Sequence, residues 1–150
     1  MTVPLAMRIA TLLRAWIVAR FMLDTNTVSH LLRGQPAVVA AVTATSIGEL
    51  CISAVTEGEL RFGLARRPGA TRLAALVREF LARVSVEPWD SDVAQRYGTL
   101  RADNQALGVS LSDLDMMIAG HAYSLGLVLV TSDKAFRHIR GLEVEDWAER

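Results

Sequence analysis

A chain of 150 residues, of which 51% are hydrophobic and 21% charged, has the size of one globular domain and enough apolar material for a core, which excludes a disordered chain. Its 16 Lys and Arg residues balance its 16 Asp and Glu residues, which excludes a protein held to nucleic acid by bulk positive charge alone. The single cysteine, Cys51, excludes an intramolecular disulfide and fits a reducing cytoplasm, and with only three histidines present a structural zinc site is disfavoured.

Residues 1–19 are predicted to form an extension outside a domain that spans residues 20–150. The extension is apolar, but Arg14 interrupts it, which disfavours both a membrane-spanning helix and the unbroken apolar region of a signal peptide. Three interpretations stay open: a mobile amphipathic extension, a segment that lies on a membrane surface, and residues upstream of the true start codon. We favour an extension that the domain does not need, because a compact domain can begin at Arg20.

The domain alternates short apolar runs, which are typical of buried strands, with stretches of helical periodicity. In chain order, its first half predicts a strand at 20–23, a helix that carries Val28, Leu31 and Leu32, a helix at 36–44, a strand at 50–53 and a helix at 55–66. The first of these helices is expected to begin at Asp24-Thr25-Asn26-Thr27, because these residue types favour helix caps. Pro68-Gly69 is expected to separate the helix at 55–66 from the next one.

The second half of the domain continues the alternation. It predicts a helix at 70–83, a strand at 84–86, helices at 90–107 and 112–125, a strand at 127–130 and a short edge strand at 142–144. Gly126 is expected to end the helix at 112–125, since glycine favours the position after a helix. Strands that alternate with helices indicate an α/β domain with a mostly parallel sheet covered on both faces.

Four acidic side chains are predicted to lie near one edge of this sheet. Asp24 ends the first strand, and Asp133 follows the strand at 127–130. Glu59 lies early in the helix after the second strand, and Asp115 lies in the first turn of the helix at 112–125. Ligands of such sheets bind outside the carboxyl ends of the strands. Carboxylates brought together there repel one another unless they are protonated or bind a cation, so convergence would imply a hard divalent ion such as Mg2+ or Mn2+.

Each acid also has a local explanation. Asp24 has the position of a helix cap, and Ser112 with Asp115 has the spacing of a capping box. Glu59 would be unremarkable on a solvated helix face, and Asp133 would be unremarkable in a turn. The four acids together therefore indicate a cation site more strongly than any one of them does.

Four segments resemble the PIN-domain ribonucleases and, within them, the VapC toxins of bacterial toxin–antitoxin pairs: FMLDTNTVSHLLRG, ISAVTEGELRFGLAR, SLSDLDMMIAGHAYSLGLVLVT and GLEVEDW. LDTN alone is a weak signal, but the ordered set of LDTN, EL-x-x-G, D-x-x-IA-x-HA and a VT-containing turn is specific. The resemblance covers nearly the whole domain. It implies a PIN-like three-layer α/β/α domain with a mostly parallel central sheet of four to five strands.

The resemblance also implies a set of site residues. The catalytic acids would be Asp24, Glu59, Asp115 and Asp133, with Mg2+ or Mn2+ held by Asp24 and Asp115. Glu59 is preferred to Glu57 because of its EL-x-x-G context, and Asp115 is preferred to Asp113 because Ile-Ala follows it. Polar support for the acids is expected from Asn26 and Thr131.

The function implied is that of a Mg2+-dependent endoribonuclease toxin in the cytoplasm, which cleaves structured RNA such as tRNA or rRNA and inhibits translation. Its expected partners are the RNA, a VapB-like antitoxin and a second copy of the chain, and no membrane is expected to take part. The segment between Arg61 and Arg83 carries six arginines against one acid. Arg61, Arg66 and Arg67 follow Glu59 closely and are predicted to bind RNA, although a solvated helix face would explain them too.

The sequence disfavours two other functions. A PIN-like module that binds RNA or protein without catalysis would be expected to lack one of the acids, and none is missing. A phosphotransfer enzyme with an aspartate at a strand end would need a second Asp that Asp24-Thr25-Asn26-Thr27 lacks. For the antitoxin, the apolar faces around Leu31, Leu32 and Val38 and around Leu60 and Leu64 are candidate grooves that the sequence does not separate from core.

Overall fold

Five parallel strands form one central sheet in the order β3-β2-β1-β4-β5, in a computed structural model that describes residues 2–9 and 19–149. The strands are β1 (Phe21–Leu23), β2 (Leu50–Ser53), β3 (Ser85–Glu87), β4 (Val128–Val130) and β5 (Val144–Glu145). The helices of the domain are α1 (Thr25–Leu32), α2 (Pro36–Thr43), α3 (Ala54–Ala65), α4 (Thr71–Arg83), α5 (Ser91–Ala106) and α6 (Asp113–Leu125). The predicted α/β class with a parallel sheet is confirmed.

Apolar side chains project from both faces of the sheet. Helices therefore cover both faces. Alternate residues of a strand point to opposite faces, so Phe21 and Leu23 enter one core and Met22 enters the other. The first core also contains Val28, Leu60 and Val77, from α1, α3 and α4. The second contains Leu100, Met116, Ile118 and Phe136, among others, from α5, α6 and the turn after β4. The three-layer α/β/α arrangement follows directly.

The predicted elements are all present, and most of their ends differ by one residue because caps decide them. Ser53 caps α3 and Ser112 caps α6 through their side-chain oxygens. Gly126 ends α6 with a φ of 67°, as expected of a glycine in the left-handed region. The edge strand begins later than predicted, at Val144 rather than Leu142. Two short 3-10 helices at Ile47–Glu49 and Lys134–His138 had no counterpart in the predicted elements.

The predicted extension at residues 1–19, including the interruption at Arg14, lies largely outside the described residues. Of its described residues, 2–9 are exposed, and Ala19 is half-buried against the second core. Within residues 2–9 and 19–149, no helix combines the length and the apolar character needed to cross a membrane.

Helix α6, which carries Asp115, is fixed against β2 and α5 by polar and close apolar contacts. His121 is fully buried, and its Nδ1 lies 2.8 Å from Ser53 Oγ at the end of β2. Burial lowers the pKa of His121 below its ordinary value. Gly120 faces Tyr97 of α5 so closely that an added Cβ would lie 3.0 Å from Tyr97 Cβ. The middle of α6 is therefore held in place from two sides.

Candidate active site

Asp24 is the most enclosed of the four predicted acids, with only 2% of its surface exposed. Its backbone N–H donates to the Val130 carbonyl at 3.0 Å, which fixes the end of β1 beside the end of β4. Its Oδ1 accepts the Thr27 N–H at 2.7 Å and so caps α1. Burial raises the pKa of Asp24, hydrogen bonds from Thr131 and Thr27 oppose that rise, and the charge of Asp115 adds to it. A carboxylate in such a place favours a cation beside it.

Asp115 lies half-buried in the first turn of α6, close enough to Asp24 to raise its pKa. Ser112, the residue that caps α6, accepts the Asp115 N–H at 3.1 Å and donates its hydroxyl to Asp115 Oδ2 at 2.8 Å. Ser112 therefore caps α6, as the local interpretation of this pair predicts. The Asp115 carboxylate bonds to the Ser112 hydroxyl, whereas in a capping box it would bond to the Ser112 backbone N–H. Helix capping orients Asp115 without excluding a role for its remaining carboxylate oxygen.

Glu59 on α3 is tied to the turn that carries Asp24. The hydroxyl of Thr25 donates to Glu59 Oε1 at 2.6 Å, and the same oxygen of Thr25 lies 3.3 Å from Thr56 Oγ1. Because Thr25 directly follows Asp24, the bond brings Glu59 to the same edge of the sheet. Glu57, the alternative that the sequence left open, instead pairs with Arg61 at 2.7 Å.

Asp133 is connected to the same edge through Thr131. Its backbone N–H donates to Thr131 Oγ1 at 3.1 Å, while its Oδ1 accepts the Ala135 N–H at 2.9 Å and caps the short 3-10 helix after β4. Thr131 is buried, and hydrogen bonding from its side chain lowers the pKa of Asp24. Its role as polar support for the acids stays a prediction. Asn26 is exposed in the first turn of α1, and the bonds to Asp24 come from Thr27 and Thr131.

The four carboxylates do not form one tight cluster. Across residues 2–9 and 19–149, no three His, Cys, Asp or Glu side chains lie close enough together to hold a metal ion. Local hydrogen bonds hold Glu59, Asp115 and Asp133 in their separate places. Mg2+, however, usually keeps several waters and is bound by one or two carboxylates. The paired charges of Asp24 and Asp115, with burial already raising the pKa of Asp24, therefore fit that ion.

A cleft of about 320 Å³ lies beside Glu59 between α1, α3 and α4. Its floor is apolar and includes Leu32, Leu60 and Leu64, while Arg33, Arg66 and Arg67 are among its lining residues. Val38, which the sequence placed in a candidate groove, is instead core, with 1% of its surface exposed. The cleft thus joins an acidic edge to a group of cations.

Two of the three arginines predicted to bind RNA line this cleft, and the third does not. Arg66 and Arg67 line it, whereas Arg61 does not and bonds to Glu57. Sequence reasoning missed Arg33, although its place at the end of α1 was a usable signal. It also missed the role of Thr25, because the Glu59 partner lies 34 residues away along the chain.

Comparisons with known proteins show which sequences and folds this chain is similar to. The family model of the PIN domain matches residues 21–142. The chain is 36% identical over 130 residues to the tRNA(fMet)-specific endonuclease VapC of Shigella flexneri, covering 86% of this chain and 98% of that protein. It resembles the DNA-bound VapBC structure from Salmonella typhimurium with a TM-score of 0.80 and 35% identity, covering 87% and 99% of the two chains. VapBC-5 from Mycobacterium tuberculosis, of the VapBC family of toxin-antitoxin systems, matches with a TM-score of 0.56 and 28% identity over 65% and 79%.

Proposed function

This chain belongs to the PIN-domain family and, within it, to the VapC-type ribonucleases, and from that premise we propose that it is a Mg2+-dependent toxin that cleaves tRNA or rRNA. The endoribonuclease class follows from the family. The observation that supports the metal and the site is the buried Asp24 carboxylate beside Asp115. Glu59 lies at the same edge, held by Thr25.

Different residues of the site would bind the metal ion, accept a proton and bind the phosphates. Asp24 and Asp115 would hold the ion, whose positive charge removes the repulsion between them. When bound, Mg2+ helps water to lose a proton and stabilises the charge that develops on the phosphate. Thr25 occupies Oε1 of Glu59, so Oε2 is the oxygen that would accept a proton or contact the ion. Arg66 and Arg67 would bind phosphates on the cleft side of the acids, because arginine pairs with phosphate oxygens through two parallel hydrogen bonds.

The substrate class is inferred from the relatives and the cleft. The relative from Shigella flexneri is named for its action on tRNA, and a basic cleft beside an acidic edge is suited to an RNA backbone next to a metal site. Cleavage of tRNA or rRNA would inhibit translation, and such an enzyme would work in the cytoplasm. A tRNA loop would offer the unpaired bases that sequence-specific RNA enzymes usually recognise.

The partners proposed are a VapB-like antitoxin and a second copy of this chain. The antitoxin is supported by the VapBC structure from Salmonella typhimurium and by the toxin–antitoxin family of the Mycobacterium tuberculosis protein. The apolar floor of the cleft, with Leu32, Leu60 and Leu64, would suit an apolar segment of such a partner. The homodimer is carried over from the family resemblance.

The proposed function is tested by cleavage of purified tRNA and rRNA by protein freed of antitoxin, with Mg2+ and with EDTA. We expect discrete cuts that need Mg2+ and that leave a 5′-phosphate and a 3′-hydroxyl, because water attacks the phosphorus and the 3′-oxygen leaves. End mapping of the products checks both points and gives the target. Cuts that persist in EDTA, or termini with a 2′,3′-cyclic phosphate, would contradict the metal-dependent mechanism, and no cuts at all would favour the module that binds without catalysis.

Thr25→Val is expected to lower kcat for RNA cleavage by about 10- to 100-fold, the usual loss when a group that orients a functional side chain is removed. Valine has nearly the shape of threonine but cannot donate to Glu59 Oε1. Thr25→Ser keeps the hydroxyl and should retain most of the activity. A Thr25→Ser enzyme as slow as Thr25→Val, with both proteins melting at the wild-type temperature, would show that the hydrogen bond does not matter.

A further inference from the structure

Phe62 is an aromatic side chain left in solvent beside the cleft. It lies on α3, three residues after Glu59, and 63% of its surface is exposed. Among the described residues, the other aromatic side chain with a large exposed fraction is Tyr123. Its surface is 37% exposed, and it lines a different cavity beside α5. A single exposed apolar side chain needs no functional explanation by itself. The residues around Phe62, however, suggest a function for it.

The Phe62 ring is paired with a cation that also lines the cleft. The guanidinium carbon of Arg66 lies over the ring, 5.6 Å from its centroid, within the range of a cation–π contact. Positions three, four and seven residues apart share one side of a helix, so Glu59 and Phe62 of α3 lie on the same side as Arg66, the residue that ends this helix. Gly63 lies among them and keeps the surface open, since an added Cβ would meet nothing within 4 Å.

We propose that Phe62 and Arg66 form a stacking platform for an unpaired base of the RNA substrate, next to the phosphates that Arg66 and Arg67 bind. The inference rests on the proposed function and extends it to how the RNA is positioned. An aromatic ring gives a base a face to stack on, and arginine adds both a second planar group and a charge for the neighbouring phosphate. A nucleotide presents these two features together, which favours RNA over a protein segment as the occupant.

The two tryptophans of the described region, Trp89 and Trp147, pack against other parts of the domain. Trp147 is 2% exposed and meets the Phe21 ring edge to face. Trp89 donates its Nε1–H to the Met117 carbonyl and stacks edge to face on Tyr97. Phe62 is thus the aromatic ring that is both exposed and adjacent to the acids and the arginines.

The test measures RNA binding in an Asp24→Asn background, so that no cleavage intervenes. The probes are a fluorescein-labelled single-stranded RNA of about 12 nucleotides, within the usual site size for such surfaces, and the same RNA annealed to its complement. Adding Phe62→Ala should raise Kd for the single strand by about 5- to 150-fold, the range of one lost base–aromatic stack. It should change Kd for the duplex little, because paired bases are not available to stack. Fluorescence anisotropy gives both values.

Two further variants guard against a change in folding. Phe62→Trp keeps a stacking face, so it should retain tight binding, and its added fluorescence should be quenched by the single strand. Ile47→Ala removes a side chain of similar exposure, 57%, from the turn that precedes β2 at the amino end of the sheet. It should leave both Kd values unchanged.

Equal Kd values for the parent and Phe62→Ala would overturn the platform, as would a parent that does not bind the single strand. If Phe62→Ala then weakened a complex with an antitoxin peptide, the ring would belong to the partner interface. Failure of the proposed function is a separate result, seen as wild-type protein that does not cut tRNA or rRNA in Mg2+. Normal cutting with unchanged binding by Phe62→Ala would reject this inference alone.

Discussion

Asp24→Asn is expected to reduce RNA cleavage by about 100-fold or more, because a metal ion supplies several kcal/mol of transition-state stabilisation and each 1.4 kcal/mol is a factor of ten. The amide keeps the shape of the carboxylate but loses the charge that would hold the ion beside Asp115. It can still accept the Thr27 N–H, since asparagine is as good a helix cap as aspartate. The loss of activity should therefore occur in a folded protein.

The same substitution should raise the melting temperature of the metal-free protein at neutral pH. The ordinary pKa of Asp24 is 3.8, and burial raises it in the folded state. Between the unfolded and the folded pKa the folded protein binds more protons than the unfolded one, so its stability falls as the pH rises through that window. Above the window the full penalty of a buried charge remains. Asparagine carries no charge and removes that penalty.

The comparison is made by thermal unfolding in EDTA at neutral pH and at a pH below 3.8. The stability gained by Asp24→Asn should shrink at the lower pH, where Asp24 is protonated in both states of the wild type. Asp113→Asn is the matched control for activity, because Asp113 is an exposed acid on α6 that pairs with Arg101. It should cut RNA at a rate near that of the wild type. Undiminished cutting by Asp24→Asn, after contaminating nucleases are removed, would refute the assignment.

Local interactions explain why the elements were predictable from the sequence. Gly126 ends α6 through a conformation that glycine adopts readily, and Ser53 and Ser112 cap helices within three residues of themselves. The 3-10 helices were missed because three to five residues carry no helical periodicity. Leu142 reads as strand by composition, yet it precedes the edge strand, whose pairing with β4 begins at Val144.

The candidate site was predictable only as a set of positions. Asp24 and Asp115 lie 91 residues apart in sequence, and only the parallel order β2-β1-β4 with α6 above it brings their charges together. The local interpretation of Asp24 is confirmed, because its Oδ1 caps α1. Its functional interpretation stays a prediction, which the burial of this carboxyl and its raised pKa support. The sequence did not predict the roles of Thr25 and Arg33, because both depend on the packing of α1 against α3. Thr25 donates to Glu59, and Arg33 lines the cleft beside α3. No local sequence pattern shows that these two helices are neighbours.

Gly120→Ala is expected to destabilise the protein, whereas the same substitution at Gly98 should stabilise it. Both glycines lie within helices, where alanine gains about 1 kcal/mol over glycine. At Gly120 the new Cβ would lie 3.0 Å from Tyr97 Cβ and 3.2 Å from Tyr97 Cα, atoms that move only with the backbone of α5. At Gly98, on α5 itself, an added Cβ meets nothing within 4 Å.

The difference between the two variants isolates the cost of the contact, because the helix-propensity gain is common to both. Overpacking of this kind costs about 1–3 kcal/mol, which corresponds to melting temperatures that differ by about 3–10 °C in a domain of this size. Thermal unfolding of the two proteins side by side measures it. Equal melting temperatures would mean that α5 and α6 separate without cost.

The close contact at Gly120 also bears on catalysis, since Gly120 lies on the helix that carries Asp115. Relief of the contact would push α6 away from α5 and shift Asp115 relative to Asp24. Gly120→Ala should therefore cut RNA more slowly than Gly98→Ala at a temperature where both are folded, and its activity should reach half of its maximum at a higher Mg2+ concentration, because a disturbed pair of carboxylates would hold the ion less tightly. The distance between two packed helices is thus as much a determinant of the site as the acids themselves. It is set by Gly120, which lies at an unspecified position of the D-x-x-IA-x-HA motif.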